Sequence, residues 1–204
     1  DYKGIMSEFG TMNDFDQLLS SIHQRGMKLI LDLVVNHTSD EHPWFIESKS
    51  SKTNAKRDWY IWADPKPDGS EPNNWESIFN GSTWEFDEST KQYYFHLFSK
   101  KQPDLNWENP DVRQAVFEMM NWWFEKGIDG FRVDAITHIK KNFEAGDLPV
   151  PDGKKFAPAF DVDMNQPGIQ EWLQEMKDKS LSRYDIMTVG EANGVTPNDA
   201  EEWV

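Results

Sequence analysis

The residues most able to do chemistry lie at the ends of apolar segments. Arg132, Asp134 and His138 fall in "GIDGFRVDAITH" (127 to 138), Asp32, Asn36 and His37 fall in "LILDLVVNH" (29 to 37), and Glu191 follows "IMTVG". Burying unpaired charge is expensive, so such residues need a partner or a function. Arg132 and Asp134 are two apart and project from one face of a strand, where the guanidinium favours the ionised form of the carboxylate. Glu191 has no basic neighbour in sequence, and its apolar context predicts a carboxyl protonated near neutrality. One ionised carboxylate beside one protonated carboxyl, at about 5 to 5.5 Å, is the pairing of a retaining glycosidase: a nucleophile and a general acid. Taken alone, each residue fits a structural reading better, Arg132 with Asp134 as an ion pair, Asp32 as a partner of Arg132 and His37 as a hydrogen-bonded loop histidine. Their recurrence at equivalent ends of three segments favours a site.

The elements that must position these residues repeat three times as a helix pattern running into a short apolar strand. "MNDFDQLLSSIHQRG", with Asn13 or Asp14 as cap and Gly26 as stop, leads into "MKLILDLVVNH". In "NPDVRQAVFEMMNWWFEKG", Val112, Ala115, Val116, Met119, Met120, Trp123 and Phe124 recur on one face of a 3.6-residue helix; Asn109 caps it, Pro110 opens it and Gly127 closes it. "QPGIQEWLQEMKDKSL" then leads into "YDIMTVGEA". Near-continuous apolar strands alternating with helices predict parallel strands covered by helices. No Gly-x-Gly-x-x-Gly turn follows any strand, which favours a (β/α)8 barrel over a dinucleotide-binding sheet. In such a barrel the strand carboxyl ends share one face, where the site is built.

About seventy residues separate the first strand from the second helix, against roughly 2 to 6 in an ordinary connection. They predict an inserted small domain over 37–103 between barrel parts 1–36 and 104–204, with a small irregular sheet around "KQYYFHLF" (91 to 98). A second long connection, 137–166, carries "GDLPVPDGKKFAP" and reads as an ordered loop or lid rather than core. The 204 residues hold 36 acidic and 21 basic side chains, a net charge of -15, which opposes nucleic acid. The apolar runs fall short of the ~20 residues of a membrane span. The absence of cysteine suits a reducing cytoplasm.

The ordered blocks "DLVVNH" (32 to 37), "QPDLN" (102 to 106), "GFRVDA" (130 to 135) and "GEANG" (190 to 194) resemble those of glycoside hydrolase family 13, the α-amylase family, and within it the oligo-1,6-glucosidase and α-glucosidase group. "HTSDEHPWF", "WEFD" and "SRYDIMTVGEANGV" extend the likeness over nearly the whole chain. The resemblance implies a partial TIM barrel, about strands three to five of eight, with the family's small domain B inserted after strand three. It implies that Asp134 is the nucleophile, Glu191 the acid/base, Arg132 the residue that orients Asp134, and His37 a ligand of a glucose hydroxyl. Asp32 supports Arg132, Phe79 and Phe98 line the pocket, and Ala135 stands against the aglycone sugar. Val at that last position accompanies α-1,6 preference in the group, so Ala135 leans toward maltose-type substrates, whereas "QPDLN" accompanies α-1,6 cleavage.

No cofactor is implied, although Asn36 holds a position that binds calcium in the amylases proper. The expected partner is a small oligosaccharide, with no nucleic acid, no membrane and a cytoplasmic location; nothing in the residues addresses the oligomeric state. The family's upstream Asp and Tyr block and its downstream His-Asp block are not in this sequence, and its last residues, Trp203 and Val204, fall where a helix pattern is under way. The piece by itself is therefore expected to be inactive and poorly folded. The expected function is a retaining α-glucosidase acting on short malto- or isomalto-oligosaccharides. Other readings are a transglycosylase or sucrose isomerase on the same scaffold, a noncatalytic transporter-associated barrel, which has a membrane anchor and can lose the carboxylates, and a plain sugar-binding module, which would not require Arg132 beside Asp134.

Overall fold

A computed structural model describes residues 1–203. The three helix and strand pairs form as the pattern predicts. Helix α1 (Met12–Gln24) precedes strand β1 (Ile30–Val34). Its cap is Thr11 rather than Asn13 or Asp14: the Thr11 hydroxyl accepts from the Asp14 N–H while the Asp14 carboxylate accepts from the Thr11 N–H, a reciprocal box that moves the helix start earlier, to Met12. After the short helix α2 (Pro43–Ser50), strands β2 (Trp62–Ala63), β3 (Trp84–Asp87) and β4 (Gln92–Phe95) make an antiparallel sheet in the order β2-β4-β3. Helix α3 (Pro110–Lys126) is capped by the Asn109 side chain and ends at Gly127 in the left-handed region, φ 107°. It leads into β5 (Gly130–Asp134). The four-residue α4 (Phe160–Asp163), then α5 (Ile169–Lys179) and β6 (Met187–Gly190), complete the chain's regular elements up to a last turn at Ala200–Trp203. Val204, where a helix was expected to continue, lies outside the described residues.

Strands β1, β5 and β6 form a parallel sheet in the order β1-β5-β6, with Asp32 beside Arg132, Val34 beside Asp134, and Val133 beside Gly190. Gly130 allows β5 to begin there: its φ is 155°, and a Cβ would lie 1.7 Å from the Met187 carbonyl oxygen on β6. The apolar stripe of α3 (Val112, Val116, Met119, Met120, Trp123 and Phe124) is buried with Leu33, Phe131 and Val133 of the sheet and Ile169, Trp172 and Met176 of α5. Each fully buried large apolar side chain contributes about 1.5 to 3 kcal/mol, so this common core fixes the strand ends relative to one another.

A second core gathers Trp75, Trp84, Phe95 and Leu97 from the inserted region with Ala159 and Val162, and Phe143 and Leu148 pack against it. Part of the connection after β5, expected as loop or lid, is thus core. Its backbone joins the insertion through a bridge between Trp75 and Ala157, and Glu76 N–H donates to Ala157 O at 2.8 Å. Three residues that carry this packing, Phe143, Leu148 and Val162, are scattered singly through a polar, Pro- and Gly-rich stretch, so no periodicity announces them.

Candidate active site

The sheet register brings three carboxylates to one guanidinium. Arg132 Nη1 donates to Asp32 Oδ1 at 2.9 Å and to Asp134 Oδ1 at 2.5 Å, and Nη2 lies 3.0 Å from Glu191 Oε2. The Arg132 to Asp134 contact follows from the two-residue period of β5. Asp32 arrives because it is the register partner of Arg132 on β1, and Glu191 because β6 runs parallel on the other side of β5, its N–H donating to Val133 O at 2.8 Å. The hydrogen bonds to Asp32 and Asp134 hold the Arg132 guanidinium above its already high ordinary range, so it stays charged at any accessible pH. The cluster faces open space: the Asp32, Glu191 and Arg132 side chains are 56%, 41% and 36% exposed, against 24% for Asp134.

The surroundings of Glu191 differ from the sequence expectation. A basic group does contact it, and Oε2 also accepts from the Ala135 N–H at 3.2 Å, so its setting is polar and charged rather than apolar. The guanidinium comes from a residue 59 positions earlier, which adjacency along the chain does not reveal. Ala135 supplies that donor from an uncommon conformation: it is buried, and its φ of 46° places a non-glycine residue in the left-handed region directly after Asp134.

His37 is buried at the end of β1, and burial pushes its ring below the usual histidine range against the opposing pull of Asp104 and Asp134. Phe98 packs tilted against it with ring centroids 5.1 Å apart, Phe79 stands 6.0 Å beyond Phe98, and His138 meets Phe98 edge-on at 6.0 Å. The predicted residues His37, Phe98 and Phe79 thus form one aromatic row. Phe79 is 62% exposed and ready to meet a ligand, whereas His138 is buried behind the row, its Nδ1 3.0 Å from Asp163 O.

Asn36 has a different setting from a metal ligand. Its Oδ1 accepts from the Lys141 ammonium at 2.8 Å and its Nδ2 donates to Asp104 Oδ2 at 3.0 Å, while Lys141 and Asp104 pair at 2.5 Å with side chains 2% and 0% exposed. A lysine ammonium bonded to both the amide and the carboxylate does not fit a calcium ion bound through the same oxygens, because the two cations would repel. Lys141 is the residue that sequence reasoning missed: it sits beyond the "GFRVDA" block in "IKKNF", and nothing local distinguishes it from Lys140 beside it.

Parallel strands whose polar ends converge at one edge, with an inserted aromatic region beside them, form an arc of a (β/α)8 barrel. Residues 1–204 match the alpha-amylase family, described as alpha amylase, catalytic domain, and the chain belongs to that family. It is 64% identical over 203 residues to the probable oligo-1,6-glucosidase 3 of Bacillus subtilis (strain 168), covering 100% of this chain and 36% of that protein. Among solved structures it is similar to the trehalose-6-phosphate hydrolase of Bacillus licheniformis, in a mutant complexed with PNG: TM-score 0.92, 49% identity, covering 100% of this chain and 36% of the other. It is also similar to the isomaltulose synthase SmuA of Protaminobacter rubrum: TM-score 0.88, 46% identity, covering 96% and 34%. The chain spans about a third of the length of the curated relatives it matches. No helix among the described residues is long and apolar enough to cross a membrane.

Proposed function

We propose that the chain carries the nucleophile and the acid/base of a retaining α-glucosidase that releases terminal glucose from short malto- or isomalto-oligosaccharides. The observation that supports this most is that Asp134 and Glu191, from neighbouring strand ends, reach the two terminal nitrogens of one guanidinium. Double displacement asks for two carboxyl groups about 5 to 5.5 Å apart on opposite sides of a glycosidic bond. In the first step an Asp134 oxygen bonds to C1 of the glucose as the C1–oxygen bond to the leaving sugar breaks, and Glu191 delivers its proton to that oxygen. In the second step Glu191 takes a proton from water, whose oxygen displaces Asp134 from C1. Substrate entry must draw Glu191 off Arg132 so that the carboxyl can hold this proton, and its exposure leaves room for the swing. His37 binds a hydroxyl of the glucose whose C1 reacts, and Phe98 and Phe79 line its pocket.

The B. subtilis relative's name, oligo-1,6-glucosidase, fits α-1,6-linked substrates, while Ala135 leaves α-1,4 linkages in play. Structural similarity to an isomaltulose synthase favours a second reading, in which another sugar hydroxyl replaces water in the second step. The test is hydrolysis of maltose, isomaltose and sucrose by the intact protein, with Asp134→Asn and Glu191→Gln as controls. Glucose release that falls by several orders of magnitude in both variants supports the reading, and substantial turnover by either rejects it. Transfer products from sucrose select the isomerase.

A further inference from the structure

His37 has two ring nitrogens and both face amide nitrogens: Asn36 Nδ2 lies 3.2 Å from Nδ1, and Gln102 Nε2 lies 2.9 Å from Nε2. A neutral imidazole has one donor and one acceptor, so one of these contacts opposes two donors. The neighbours decide which amide is free to turn. Asn36 is locked, because its Oδ1 takes a bond from the Lys141 ammonium and its Nδ2 gives one to the Asp104 carboxylate, both buried and both charged. Reversing it would set an N–H₂ against an ammonium and an oxygen against a carboxylate. Gln102 is held only by the Ser99 N–H on its Oε1, at 3.2 Å in a half-buried position. A charge-assisted bond is worth roughly twice a neutral one, so two of them outweigh the Gln102 tie.

We propose that Lys141, acting through Asn36, fixes His37 in the tautomer with a bare Nδ1 and a protonated Nε2, and that the Gln102 amide turns its oxygen to accept from Nε2 until a sugar hydroxyl replaces it. Lys141, Asn36 and Gln102 are positioning residues; His37 is the group that meets the ligand. The consequence is directional: His37 gives a hydrogen bond to substrate oxygen and does not accept one. Asn36 thereby gains a role that does not depend on any metal. This deepens the proposed function, since it takes the ligand of His37 to be a sugar hydroxyl.

The test is the ¹⁵N spectrum of the intact protein labelled at histidine, with the His37 signals assigned by their loss in His37→Gln. The expected result is a pyridine-type Nδ1 and a pyrrole-type Nε2 in the wild type. Asn36→Asp, which sets a carboxylate oxygen against Nδ1, is expected to exchange the two and raise KM for an α-glucoside about tenfold, the worth of one hydrogen bond, with a smaller effect on kcat. A pyrrole-type Nδ1 in the wild type overturns the proposal, whatever the variant does. A folded Asn36→Asp protein that keeps the wild-type pattern also overturns it. The ¹⁵N readout is independent of Asp134, so an active Asp134→Asn variant would reject the proposed function and leave the tautomer assignment standing.

Discussion

Replacing Lys141 with methionine tests how the connection after β5 is tied to the end of β1 and to the chain leaving the inserted region. The ammonium is 2% exposed and bonds the fully buried Asp104 at 2.5 Å, while Asp104 also takes the Leu97 N–H at 2.9 Å and an Asn36 N–H at 3.0 Å. Methionine keeps most of the stem volume but leaves the carboxylate without its cation, and removing one partner of a buried pair costs about 3 to 5 kcal/mol. Two remaining donors place the expected value at the lower end, about 3 kcal/mol. Asp104→Asn alone strands the ammonium and is expected to cost a similar amount. The double variant removes both charges, so its loss should fall well below the sum of the two, with a coupling of about 2 kcal/mol or more. Urea unfolding of the intact protein followed by tryptophan fluorescence reads all three. A Lys141→Met loss below about 1 kcal/mol, or losses that simply add, would refute the buried pair as the tie.

Calcium is not expected to bind at Asn36, because Lys141 supplies the positive charge there; a calcium-dependent unfolding midpoint of the intact protein that Asn36→Ala abolishes would contradict this. Burial alone would raise Asp129, but bonds from Lys28, the Leu29 N–H and His23 outweigh it and lower its carboxyl from 3.8 to about 2. A depressed folded value means the stabilisation is present above the unfolded pKa and is lost as pH falls through about 2. Asp129→Asn is therefore expected to lose about 1 kcal/mol in urea at pH 7, solvent screening discounting the ion pairs, and progressively less toward pH 2. Phe98→Ala removes the ring packed against His37 and is expected to raise KM for maltose about tenfold or more, measured by initial rates. Ala135→Val is expected to move the ratio of isomaltose to maltose hydrolysis toward isomaltose, and an unchanged ratio would remove Ala135 from the account of linkage preference.

Much of the site was legible because its residues sit at a fixed offset from regular elements. The stripe of α3 predicts where β5 begins, and the two-residue period of β5 puts Arg132 and Asp134 together. The apolar strands likewise announce a parallel sheet, which brings Asp32 to Arg132 through register. Contacts between distant segments were less visible. Glu191 reads as an isolated carboxyl in its own strand, yet its nearest cation belongs to β5. Lys141 looks like one of two adjacent surface lysines, and only the packing of the insertion under the sheet's end makes it the buried one. The left-handed turn at Ala135 has no glycine or asparagine to advertise it.

The central claim is that Asp134 attacks the sugar and Glu191 manages the proton, so that the anomeric configuration is inverted twice. Proton NMR of the intact protein acting on an α-glucoside, recorded before mutarotation, reads this directly. The account predicts that the first glucose released is the α-anomer, and β-glucose as the first product would contradict it.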